Sequence, residues 1–114
     1  MAMTLQQARK FALSLPEATE EPHFEFTSFR IGGKIFASAP PDSEYLHVFV
    51  PEEFREAALA RGYDFLEELH WGKKVIGLRV LLPAAKLADV RTLLAQAWAH
   101  RAPKRLRSLR EPEE

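Results

Sequence analysis

The sequence contains no cysteine among its 114 residues. Disulfide bonds, thiolate nucleophiles, cysteine-based zinc sites and iron–sulfur clusters are therefore excluded. The chain also has no net charge, since 16 basic residues balance 16 acidic ones. A protein dedicated to binding nucleic acid often carries a strong positive excess. The balance of charges thus argues against tight binding to DNA.

Long apolar runs are missing as well. No run approaches the roughly 20 residues that a membrane helix needs, and the opening MAMTLQQARK lacks the apolar segment of a secretion signal. We therefore expect a cytoplasmic protein with no membrane partner. The hydrophobic content of 46% and the charged content of 28% match an ordinary globular protein. The length predicts a single domain over 1–103, followed by a short tail over 104–114 that is first basic and then acidic.

The first half of the chain carries one helix pattern and three strand patterns. Thr4 and Gln7 have the spacing of a capping box, which predicts a helix over about 5–14, and Pro16 ends it. The acidic stretch PEATEEPH then reads as an irregular connection. Two segments of strand character flank Gly32-Gly33 and predict a tight hairpin, because such turns need positive φ. YLHVFV over 45–50 alternates as a third strand.

The second half repeats the change from helix to strand. PEEFREAALARG begins with proline, has acids in its first turn and ends in glycine, as a short helix does. Residues 66–71 and 75–82 are predicted to form two further strands, and 84–101 a last helix with one apolar stripe. The order α-β(3)-α-β(2)-α predicts an α+β domain, with a five-stranded antiparallel sheet and helices packed mainly on one face.

Alternation along the strands predicts which side chains face the helices. A two-glycine turn pairs Ile31 with Lys34, Arg30 with Ile35 and Phe29 with Phe36. The predicted core face of the sheet carries Phe29, Ile31, Phe36, Leu46, Val48, Val50, Ile76, Leu78, Val80 and Leu82. The opposite face then carries Ser28, Arg30, Ile35, Ala37, Tyr45, His47, Phe49 and Arg79. Trp71 and Trp98 are expected to pack.

Several motifs resemble the MmcQ/YjbR-like family of small bacterial proteins. They are Leu15-Pro16-Glu17, Glu21-Pro22-His23-Phe24, the stretch from Phe29 to Ala37, and His70-Trp71-Gly72-Lys73-Lys74. The resemblance covers Leu15 to about Leu106. It implies an α+β fold that has been compared with frataxin-like and secretion-chaperone-like folds. The family is commonly labelled DNA-binding through kinship with double-wing domains, and the resemblance implies no catalytic residue and no cofactor.

Basic residues in three places are the candidate nucleic-acid-binding groups. Arginines beside aromatic rings on the outer sheet face could hold phosphates and stack on bases, lysines at two hairpin turns could reach into a groove, and the basic segment 101–110 could contact phosphate. The candidates are Arg30, Lys34, Lys73, Lys74, Arg79, Lys104, Arg105 and Arg107. The alternatives are arginines paired with acids on a covered face, ordinary surface lysines, and a solvated helix end.

No set of residues in the sequence indicates a catalytic reaction. His23 and Glu25, with Glu20 and Glu21 nearby, cannot all point one way, so we expect no metal site and no catalytic residue. IGGK lacks the spacing of a phosphate-binding loop. We therefore predict a non-enzymatic binding module without a cofactor, whose partner is DNA, bound weakly and with salt sensitivity. The alternative is a protein-interaction or chaperone-like module that binds another protein or a second copy through the sheet face or edge.

Overall fold

The chain folds as one helix, four strands, a helix, two strands and a helix in the computed structural model, which describes residues 3–41 and 43–106. The six strands form one antiparallel sheet in the order β1-β2-β3-β4-β6-β5. This confirms the predicted α+β class. The elements are α1 (Leu5–Ser14), β1 (Thr19–His23), β2 (Phe26–Ile31), β3 (Lys34–Ala39), β4 (Tyr45–Val48), α2 (Glu52–Ala60), β5 (Leu66–Trp71), β6 (Lys74–Leu81) and α3 (Leu87–Arg101).

The strand β1 was not expected, because its sequence TEEPH was predicted to be irregular. Glutamate and proline are depleted in strands, and all five residues are exposed, so neither propensity nor alternation marks it. It lies at the edge of the sheet, where a proline without an N–H is tolerated. Pairing with β2 and a hydrogen bond of 2.6 Å from the Ser28 hydroxyl to the Glu21 carbonyl hold it. The sheet therefore has six strands rather than five.

The β2–β3 hairpin follows the prediction near its turn and departs from it farther along. Gly32 and Gly33 have φ of 58° and 80°, and Arg30 pairs with Ile35 as expected. A β-bulge then shifts the register, so that Phe29 pairs with Ala37 instead of Phe36. Phe36 and Ala37 are both fully buried in the core. The predicted outer position of Ala37 is wrong, because the bulge reverses the alternation.

A second bulge interrupts the β5–β6 hairpin. Leu69 pairs with Gly77 and His70 with Val75, which leaves Ile76 without a partner residue. Ile76 lines a cleft on the outer face of the sheet, so its predicted core position is wrong. A Cβ on Gly77 would lie 2.5 Å from the carbonyl oxygen of Val48, in the neighbouring strand. Only glycine permits this close approach of β6 to β4.

The core lies between α3, α1 and the inner sheet face. Trp98 of α3 is fully buried, and its indole Nε1–H donates to the carbonyl of Pro16 at 3.1 Å. This bond ties α3 to the end of α1. Leu106, the last residue described, is buried in the same core. In the described ranges, no helix has the length and apolar character needed to cross a bilayer.

The two tryptophans provide a matched stability test. We expect Trp98→Phe to lower the free energy of unfolding by about 2 kcal/mol, since it leaves a cavity and removes the partner of the Pro16 carbonyl. Trp71→Phe is the control, because Trp71 is 76% exposed, and it should change the free energy by less than about 0.5 kcal/mol. Urea unfolding measures both. Equal losses in the two variants would contradict the assigned burial.

Candidate functional site

A cleft of about 830 Å³ crosses the outer face of the sheet. Its floor comes from Ile35 and Ser38 on β3, His47 on β4, and Phe49 just after β4, whose side chains face away from the core. Leu69 and Ile76 from β5 and β6 extend the apolar surface. Concave, mainly apolar surfaces with a few polar groups are where proteins most often bind ligands. The cleft is therefore the candidate site.

A row of polar side chains runs across the strands at the level of His47. Ser38 lies opposite His47, and His47 lies opposite Arg79, which in turn lies opposite Glu67. Burial, and to a lesser extent the positive charge of Arg79, lower the pKa of His47 below its ordinary value. The imidazole on the floor of the cleft is thus neutral near pH 7.

Three cations from three different elements line the cleft. They are Arg30 on β2, Lys34 at the start of β3 and Arg101 at the end of α3. The guanidinium of Arg30 is positioned by its own hydrogen bonds, from Nε to the Ser28 hydroxyl at 3.0 Å and from Nη2 to the Pro22 carbonyl at 3.3 Å. Glu25 is the only acid among the described lining residues. The cleft therefore favours an anionic ligand.

Two exposed aromatic rings border the cleft at turns of the chain. Phe24, between β1 and β2, is 91% exposed, and Trp71, at the end of β5, is 76% exposed. The expectation that Trp71 packs is therefore wrong. Its strand places it at the edge of the sheet beside the Gly72 turn, where most of its ring is exposed. The sequence places Arg101 in the basic segment 101–110, and no pattern in it connects this residue with the outer face of the sheet.

Of the predicted basic residues, the structure brings Arg30 and Lys34 to the cleft. Arg79 points to the same face, but it forms an ion pair with Glu67 and its guanidinium lies 3.9 Å from the ring centre of Tyr45. It is three strands away from Arg30, which corresponds to about 14 Å.

The other predicted basic residues lie outside the cleft lining. Lys73 and Lys74 are exposed at the β5–β6 turn, and Lys74 borders a separate depression that contains Glu52, Glu56 and Glu68. Arg105 forms an ion pair with Glu17 at 3.2 Å. Lys104 is exposed, and Arg107 lies outside the described residues. The predicted set is therefore not one continuous surface.

The region around His23 does not assemble a metal site. Across residues 3–41 and 43–106, no three histidine, aspartate or glutamate side chains converge closely enough to hold an ion. The ring of His23 instead packs edge-on against that of Phe24, with centroids 4.8 Å apart. His23 is thus part of the aromatic border of the cleft.

Comparison with known proteins gives one match. The family model described as YjbR matches residues 13–100, which include every strand, α2 and nearly all of α3. No curated protein and no solved structure matches the chain significantly. The matched range contains the floor of the cleft and both aromatic turns.

The lowered pKa of His47 predicts how stability depends on pH. The unfolded chain binds a proton at this residue more readily than the folded protein does, so the contribution of His47 is complete above about pH 6.5 and declines as the pH falls below it. We expect His47→Gln to reduce the loss of stability between pH 7.5 and pH 5.5, measured by urea unfolding. Exposed His100→Gln is the matched control and should retain the wild-type loss.

Removal of Arg79 separates the two causes of the lowered pKa of His47, which are burial and the charge of Arg79. Burial is the larger cause, so Arg79→Gln should raise the pKa of His47 only part of the way to its ordinary value. Titration of the imidazole by NMR measures this. A full return to the ordinary value would show that the charge of Arg79, and not burial, dominates.

Proposed function

Because the chain belongs to the YjbR family, we propose that it is a non-enzymatic binding module that binds nucleic acid, DNA included, in the cleft on its outer sheet face. One observation carries the proposal. Arg30, Lys34 and Arg101 reach the cleft from three separate elements, and aromatic rings line the same cleft. Cations bind phosphates and aromatic side chains stack on bases, so this combination suits a nucleic acid.

The charge balance sets the strength of this binding. With no net charge on the chain, attraction at long range is weak, and the cations at the cleft provide the local phosphate contacts. Neutralisation of three phosphates gives a slope of log K against log salt of about −2 for a single strand and about −3 for a duplex. The protein should therefore bind with modest affinity at low salt and release its ligand as salt rises.

A protein partner is the second candidate, and one feature favours it. The strand β5 ends the sheet, and its outer backbone groups have no neighbouring strand among the described residues. Such an edge can accept an extended peptide or a second copy of the chain. Partners that remain bound after nuclease treatment support this candidate, and partners lost with nuclease support the first. Light scattering tests for a second copy.

Neutral variants of the exposed cations test the proposal. We expect Lys34→Gln and Arg101→Gln each to weaken binding at 50 mM salt and to make the salt slope shallower by about 0.7 to 0.9, since each removes one phosphate contact. Lys86→Gln is the matched control, because Lys86 is exposed and lies outside the cleft lining. Fluorescence anisotropy with labelled oligonucleotides measures affinity and slope.

Two results would reject nucleic-acid binding in the cleft. One is a lack of binding to single-stranded and duplex DNA or RNA even at 50 mM salt. The other is an equal effect of all three variants, which would mean that binding depends on overall charge and not on the cleft.

A further inference from the structure

The two exposed aromatic rings that border the cleft lie toward opposite edges of the sheet. Phe24 is in the turn between the first two strands of the sheet order, and Trp71 ends its last strand. Both line the cleft, which therefore crosses the sheet from one ring to the other. Large apolar side chains scattered singly on a surface need no explanation, but two that border one concave, apolar surface indicate a binding site.

The backbone at Phe24 is also unusual. Its φ is +58°, in the left-handed region, within the two-residue turn that joins β1 to β2. Hairpin turns of this length prefer glycine, asparagine or aspartate where φ is positive, because a bulky side chain is strained there. Neither burial nor backbone preference explains a phenylalanine at this position. Strain of this kind concentrates at functional sites, where it holds a group in the orientation that binding needs.

We propose that the cleft binds single-stranded nucleic acid, with Phe24 and Trp71 stacking on unpaired bases at its two ends. This inference rests on the proposed function and selects one ligand class within it. An aromatic side chain can stack on the face of a base only where that base is not already stacked within a duplex. Arg30, Lys34 and Arg101 contact the phosphates. Glu25 is the one acid among the lining residues that the structure describes, so the cleft keeps a positive charge that complements the phosphates.

The separation of the two rings sets the length of the strand. Four strand spacings separate the β1–β2 pair from the β6–β5 pair, which is about 19 Å, and the registers place Phe24 and Trp71 at opposite ends of the strands, about seven residues apart along them. With the twist of the sheet, the two offsets together give about 25 to 30 Å. A stacked single strand advances about 3.4 Å per nucleotide, so about seven to nine nucleotides reach from Phe24 to Trp71. A dinucleotide cannot contact both rings.

Ligand comparison is the first part of the test. Anisotropy at 50 mM salt compares a labelled 20-nucleotide single strand with a 20-base-pair duplex, and unlabelled thymidine oligonucleotides of two, six and ten residues compete with the single strand. We expect the single strand to bind at least about tenfold more tightly than the duplex. The ten-residue competitor should bind more tightly than the six-residue one, which is too short to reach both rings, and the two-residue competitor should be the weakest.

Variants of the two rings are the second part. Phe24→Gly and Trp71→Ala should each weaken binding of the single strand about 5- to 150-fold and leave the salt slope unchanged, because they remove stacking but no charge. Phe24→Gly should also raise the urea midpoint, since glycine relieves the left-handed strain. Weaker binding by a more stable protein cannot result from misfolding. Phe54→Ala is the matched control, since Phe54 is also exposed but lies on α2, outside the cleft lining.

The outcomes separate this inference from the proposed function. If Lys34→Gln and Arg101→Gln weaken binding while the ring variants do not, or if the duplex binds as tightly as the single strand, the proposed function stands and the single-strand inference is wrong. If neither nucleic acid binds, the proposed function itself fails. A dimer in light scattering that dissociates in Phe24→Gly would assign the rings to a contact between copies, and would also overturn the inference.

Discussion

The fold depends on the burial of one sheet face beneath the helices. Trp98 is central to this packing, because its ring fills the core while its indole N–H satisfies the carbonyl of Pro16, which follows α1. With the inner face filled by aliphatic and aromatic side chains, the alternation of the strands sends serine, histidine and arginine to the other face. The chemistry of the cleft is therefore a consequence of how the core is packed.

Two bulges adjust this alternation, and they act in opposite directions. In β3 the bulge turns both Phe36 and Ala37 into the core, and in β6 it leaves Ile76 on the cleft side. Bulges also bend and twist strands locally. The same irregularities that change which side chains line the cleft can therefore contribute to its concave shape.

Sequence patterns predicted the elements that local chemistry defines. The capping box of Thr4 and Gln7 forms as expected, and the two glycines make the β2–β3 turn. The strand β1 was not predicted, because its own sequence has no strand pattern and its extended conformation depends on pairing with β2. The cleft could be predicted only in part, since Arg30 follows from strand alternation and Lys34 from the glycine turn. Arg101 reaches the cleft because of how α3 packs on the sheet, and no local sequence pattern predicts this packing.

Charge pairing within the chain explains why only some of the basic residues are suited to bind a ligand. Arg79 is held by Glu67 and Tyr45, and Arg105 by Glu17, so contact with a phosphate would require these groups to exchange one partner for another. Arg30 differs, because its partners are a hydroxyl and a carbonyl, which orient the guanidinium without neutralising it. A chain with no net charge can thus still present positive charge locally, provided that its acids lie elsewhere.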